Sequence, residues 1–278
     1  MPTLSNIKSS IILNVRAIKA RAYVRIVGQQ RELSWLFFDS FLPLLSIAAF
    51  VYVYKAMQAP PEFTGFVILG GAMTAFWMNV LWSMASQFYW EKEGGNLQLY
   101  LIAPMSRMSI LAGMALGGGF STTIRASSAL LVGIFIFHIP INIIHPWLTL
   151  AIFVVTLLAL YGFGMLFASL YLLFGREAWH MSNLLTEPIF LLSGFYFPVK
   201  ALGFYVAAVA SIIPATLGLD AMRQLAFPDS AQFGFLTVGS ELIILSILAV
   251  TFIVLARFSL GYMEKLGKRE GRLTMRWQ

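Results

Sequence analysis

The sequence predicts an all-α, polytopic membrane protein with six transmembrane helices. Three observations carry that prediction. Of 278 residues, 59% are hydrophobic and only 11% are charged, where soluble chains carry about 25% charged residues; the mean hydropathy is +0.80. Six apolar stretches approach or exceed the ~20 residues that cross a ~30 Å hydrocarbon core. Threading the chain through them in alternation leaves fifteen of the 19 Lys and Arg residues on one side. Cytoplasmic loops carry that excess, so both termini are expected in the cytoplasm of a multi-pass plasma (inner) membrane protein.

Residues 1–34 precede the first stretch and are basic but not spanning. Ile7, Ile11, Val15, Ile18, Ala22 and Ile26 recur at steps of three or four, with Lys8, Arg16, Lys19 and Arg21 off that stripe. This pattern predicts an amphipathic interfacial helix lying along the cytoplasmic headgroups; a soluble helix packed on a partner is the alternative. No compact apolar segment with a small-residue cleavage site is present, so no cleaved leader is expected.

The expected transmembrane region, residues 35–258, holds spans at about Trp35–Tyr54, Phe66–Trp90, Met108–Phe137, Trp147–Phe174, Ala178–Phe197 and Phe235–Phe258. The third and fourth are long enough to tilt or leave the lipid. Gly113–Gly119 (GMALGGG) places small residues four apart, which favours close helix contact. Between the last two spans, Leu202–Ile213 is too short to cross, and suits a re-entrant outer hairpin over residues 198–234. A basic cytoplasmic tail is expected over 259–278.

Several function classes are excluded. There is no cysteine, hence no disulfide or thiolate chemistry. The patterns G-x-x-x-x-G-K-[ST], H-E-x-x-H and G-x-S-x-G are missing. The chain is therefore not expected to be an enzyme or to bind ATP or any other cofactor itself. His138, His145 and His180 lack ligand spacing, so no metal site is expected. The basic residues border the membrane and do not form an aromatic-interleaved face, which argues against nucleic acid.

Charge inside lipid is costly and usually faces protein or water. Asp39, close to the start of its span, is read as an interfacial side chain. Arg125 and Glu187 fit either a substrate route or an internal pair. Phe76, Trp77 and Trp82 fit the same candidate route, although ordinary packing also accounts for aromatic residues in spans. Tyr89 and Trp90 match an interfacial belt.

The loop at 91–107 reads Glu91-Lys-Glu-Gly-Gly-Asn-Leu-Gln-Leu-Tyr-Leu-Ile-Ala-Pro-Met-Ser-Arg107. Acidic residues and glycines end one helix, an apolar patch follows, and Pro104 and Ser106 restart a helix with Ser106 as a candidate N-cap. An exposed apolar patch needs a cover, from a partner or the headgroups. This stretch resembles the E-x-G-T-L-E-x-L-L-A-T-P-x-S-R hallmark of ABC-2 type exporter permeases, matched at Glu93, Gly95, Leu97, Leu101, Pro104, Ser106 and Arg107, with Asn96 for Thr and Gln98 for Glu. Ser193-Gly-Phe-Tyr-Phe-Pro-Val199, followed by Pro214 and Asp220-Ala-Met-Arg223, is similar to the same family's outer hairpin.

The resemblance implies a permease subunit for a drug, lipid or small metabolite, paired with a second copy of itself. It also implies two ATPase subunits that bind ATP and Mg. Glu93, Gly95, Leu97, Leu101, Pro104, Ser106 and Arg107 would then be coupling contacts, and Gly194, Phe197, Pro198 and Pro214 would shape an outer gate. A self-contained channel or secondary transporter is the alternative. It calls for a charge ring or inverted repeats, and the single apparent hairpin has no inverted copy. A membrane-embedded enzyme would need clustered polar residues at helical spacing, which the spans lack.

Overall fold

The computed structural model describes residues 4–31, 33–139, 142–271 and 273. The expectations for Ile7, Lys8 and Asp39 concern side chains outside the described ones. Among the described residues the architecture is all helical. Helix α1 (Leu4–Arg31) leads to α2 (Leu33–Ala56), which carries Pro43 inside it. Helix α3 (Pro61–Met78), a π-helical turn (Asn79–Ala85) and α4 (Gln87–Glu93) together form a 33-residue span. A short α5 (Leu97–Ile102) follows, then α6 (Arg107–Phe137), α7 (Pro146–Phe174) and α8 (Arg176–Leu192). Helices α9 (Phe204–Ala210) and α10 (Pro214–Ala226) precede α11 (Val238–Arg269).

Four helical stretches are long and apolar enough to cross a membrane: Pro61–Glu93, α6, α7 and α11. The other two expected spans are shorter apolar pieces. The apolar part of α2 is Pro43–Ala56, and α8 has 17 residues with Glu177 in its first turn. Helix α8 stops at Leu192, five residues before the expected end of its span, because Gly194 takes φ +63° and turns the chain. Helices α9 and α10 are bent by 112° at their break, the geometry of a broken span or a re-entrant loop. Pro214 sets that restart as the first residue of α10, where its missing N–H is no loss. At 31 residues α6 is about 46 Å long, so it tilts or projects beyond a ~30 Å core. Helix α11 runs on to Arg269, through most of what the sequence suggested as a tail.

Helices α7 and α11 lie along each other. Gly162 faces Phe252 and Ile253, the Phe163 and Phe252 rings sit 4.9 Å apart, and the Ser169 and Ser259 hydroxyls bond at 2.6 Å. The core is filled by α3 and the π turn against α6 and α7, with Phe76, Trp77, Met84, Ile110 and Leu111 all buried.

The apolar stripe on α1 divides between two surroundings. Ile11 and Val15 are exposed, whereas Ile18 and Ala22 press on α6. The reason is the small-residue run: a Cβ on Gly113 would lie 2.8 Å from the Ile18 carbonyl, and one on Gly117 would lie 2.8 Å from the Ala22 carbonyl. The two backbones approach where side chains are missing. Helix α1 is therefore packed on its own chain along this stretch.

Candidate functional site

The first candidate region lies at the end of the bundle where α1, α4, α5, the start of α6 and the end of α11 meet. Helix α4 ends at the exposed Glu93, and Gly94 and the left-handed Gly95 reverse the chain into α5. Amphipathic burial fixes α5: Leu97 is 2% exposed and anchors it in the core, while Leu99 is 62% and Ile102 80% exposed. Ala103, preceding Pro104, is extended as proline requires of its neighbour, and this ends α5.

Both ends of this loop are fastened by charge. On one side the Arg21 guanidinium of α1 pairs with the Glu91 carboxylate of α4 and donates to the Tyr100 hydroxyl at 2.8 Å. Gln87 donates to Glu91 at 2.5 Å, and the Tyr100 hydroxyl donates to the same oxygen at 3.4 Å. Burial, opposed by Arg21 and assisted by Glu91, raises the Tyr100 pKa above its ordinary value of 10.0, so the hydroxyl keeps the proton it donates. On the other side Arg107 donates to the Leu101 carbonyl at 3.0 Å and to Glu264 of α11 at 2.7 Å; Lys268 reaches Glu264 at 2.6 Å. A groove of about 320 Å³ separates Gln98, Leu101 and Ile102 from the end of α11 at Gly267 and Lys268. Pro104 is exposed. Ser106 occupies the N-cap position of α6, but its side chain makes no capping bond. Asn14 of α1 instead ties this end of α6 to α1, accepting from the Ser106 N–H at 2.8 Å and the Ser109 hydroxyl at 3.0 Å.

The second region is a cavity of about 470 Å³ among α1, α2, α3, the π turn, α6 and α8. Ridge spacing changes in a π turn, and such turns recur at functional sites. Here the turn brings Asn79, Trp82 and Ser83 to one wall. Arg25 donates to the Ser83 hydroxyl, Arg125 donates to Thr122 at 3.2 Å, and Asn79 accepts from Tyr161 at 3.0 Å. Phe38, Met78, Phe190 and Tyr196 supply an apolar and aromatic side. The expected route residues are thereby divided. Trp82 and Arg125 line this cavity. Phe76 and Trp77 turn away towards α7, with rings 5.5 Å from Phe153 and 6.2 Å from Phe163. Glu187 is exposed on α8, outside the cavity lining.

The third region closes the opposite end. Arg223 of α10 is 2% exposed and donates to four carbonyls: Gly194 at 2.8 Å, Phe195 at 2.7 Å, Phe197 at 3.1 Å and Phe66 at 2.9 Å. Pro198 and Pro214 are buried, and Phe197 is half-buried. Asp220 accepts from the Phe235 N–H at 2.7 Å and from Gln224 at 3.0 Å, joining α10 to the approach of α11. Sequence reasoning passed over Arg21, Glu91, Tyr100 and Glu264, and took Arg223 only as part of a pattern. The spacing of Gln87 and Glu91, one helical turn apart, was the available signal for the first network. Nothing local pairs Arg107 with Glu264, 157 residues away.

A family model described as ABC-2 type transporter matches residues 14–227 of the chain. Proteins named as probable multidrug ABC transporter permease YbhR, from Escherichia coli K12 and Escherichia coli O157:H7, are each 28% identical to it over 145 residues. That alignment covers 51% of this chain and 38% of either relative, so the chain matches well under half of their length.

Proposed function

The chain belongs to the ABC-2 type transporter family, and we propose that it is the membrane subunit of an ATP-driven exporter coupled to a separate ATPase subunit. In this reading α2 and α8 complete six spans, with both termini in the cytoplasm. Two copies stand side by side above two ATPase subunits, which bind the ATP and Mg. The cargo is a drug, lipid or small metabolite, and the divided wall of the 470 Å³ cavity suits an amphipathic one.

The observation that carries the proposal is α5: a helix anchored by Leu97, fastened at both sides by ion pairs, and presenting Leu99 and Ile102 outward. An exposed apolar turn at this end of the bundle calls for a cover, and in this reading the docked ATPase supplies it. Movement of α5 would pull α1 through Tyr100 and Arg21, and α11 through Arg107 and Glu264. Helix α1 lies on α6 and lends Arg25 to the cavity wall, so the first linkage leads to the cargo route. Segment 194–198, clamped by Arg223, would close the outer side.

The test is to purify the chain with the ATPase encoded beside it and to measure ATP turnover. Co-purification, with turnover reduced by Glu93→Ala and Pro104→Ala, supports the proposal. Failure to co-purify, together with turnover that ignores both substitutions, refutes it.

A further inference from the structure

A second cavity, of about 350 Å³, lies between α6 and α7 and has no part in the coupling scheme. Three helices build it with faces repeating at i, i+3 or i+4, and i+7. Thr123, Ala126, Ser127 and Leu130 come from α6; Pro146, Thr149, Leu150 and Phe153 come from α7. The floor is Leu69, Ala72, Met73 and Phe76 of α3, with Met222 of α10. Seven residues of helix make the slot about 10 Å long.

Its chemistry is selective. Among the described lining residues none is charged. The Thr123 hydroxyl is spent on the Gly119 carbonyl at 2.8 Å and that of Thr149 on the His145 carbonyl at 3.1 Å. Ligand pockets for drug-like molecules orient their occupants with a few converging polar groups, and this slot offers Ser127 at its exposed rim alone. Its exposed lining residues, Thr123, Ser127, Ile143, Pro146 and Leu150, form the mouth, and exposed apolar side chains continue beyond it at Leu131 and Phe135 on α6 and at Val154 on α7. In a membrane-spanning chain such side chains face hydrocarbon. A narrow apolar slot that opens into hydrocarbon, without hydrogen-bonding groups inside, fits a flexible hydrocarbon chain.

We propose that this slot binds one acyl chain of a bilayer lipid, inserted between α6 and α7 down to Met73, Phe76 and Met222. The site is distinct from the cargo cavity and does not depend on the ATPase reading. Because Met222 adjoins Arg223, the bound chain bears on the helix that clamps the outer segment.

The full chain is reconstituted in phosphatidylcholine nanodiscs containing a lipid with a diazirine in its acyl chain, irradiated, and mapped by mass spectrometry. Met73, Phe76 and Met222 line the slot and not the outer surface, so labelling there reports a chain inserted in the slot. Labelling of these floor residues is expected, reduced at least fivefold in Ala126→Trp and in Leu130→Trp, while labelling of Phe135 is unchanged. Labelling confined to outward positions such as Phe135 and Leu158 overturns the proposal, as does a protein–protein cross-link showing a second copy seated in the slot.

Discussion

Replacing Arg223 by methionine removes four donated hydrogen bonds and keeps a side chain of similar reach. The Phe66 carbonyl retains its place in α3, but the Gly194, Phe195 and Phe197 carbonyls lie in the irregular segment after α8. Each buried acceptor left without a donor costs about 1–3 kcal/mol. Three orphaned carbonyls would cost about 3–9 kcal/mol; removing the guanidinium also relieves its own desolvation, so the net loss lies towards the lower end, about 3–5 kcal/mol. For a chain of this size each kcal/mol moves the midpoint by about 2–4 °C, so a fall of roughly 10 °C is expected. The assay is thermal unfolding of the detergent-purified chain, wild type and variant at one scan rate, since membrane proteins unfold irreversibly. Arg223→Lys should recover only part of the loss, because one ammonium cannot serve four carbonyls spread around a planar fork. A midpoint for Arg223→Met within 2 °C of wild type would refute the idea that Arg223 clamps segment 194–198.

Gly117→Val should lift α1 from α6, because even its Cβ would sit 2.8 Å from the Ala22 carbonyl; a cysteine pair introduced at Asn14 and Ser109, whose side chains bond at 3.0 Å in the parent, should lose disulfide formation in that background. Glu264→Arg should uncouple transport from ATP turnover, and adding Arg107→Glu should restore part of it, since the swap rebuilds the 2.7 Å pair; equal defects in single and double variants would exclude the pair. Tyr100 has its pKa raised above 10.0 by burial, so its stabilising proton is held below pH 10 and lost above it. The stability difference between wild type and Tyr100→Phe should therefore stay flat from pH 6 to 9 and shrink above pH 10, as followed by thermal unfolding.

Helical class and the long spans were legible because hydropathy and span length are local properties: the expected third and fourth spans and the helices α6 and α7 differ by one residue at their starts. The small residues of Gly113–Gly119 were legible as a contact surface, but not the partner, which is α1. The ends of α8 and α11 were misplaced for different reasons. Gly194 stops the first through a left-handed turn, while Lys265, Lys268 and Arg269 extend the second because charged residues are good helix formers outside lipid. The loop from Glu91 to Arg107 could be picked out from residue order alone. Its two ionic fastenings could not, since Arg21 with Glu91 and Arg107 with Glu264 join residues 70 and 157 positions apart.

The central claim is that α5 is where the ATPase docks. The chain has no cysteine, so single cysteines can be placed without a background. Ile102→Cys lies on α5 and is 80% exposed in the parent residue; Tyr205→Cys lies on α9 and is 85% exposed. Each is treated with a short thiol-to-amine cross-linker in cells expressing the ATPase encoded beside the chain. The account predicts that Ile102→Cys captures a polypeptide carrying a phosphate-binding loop and that Tyr205→Cys does not. Capture at Tyr205→Cys, with none at Ile102→Cys, would contradict it.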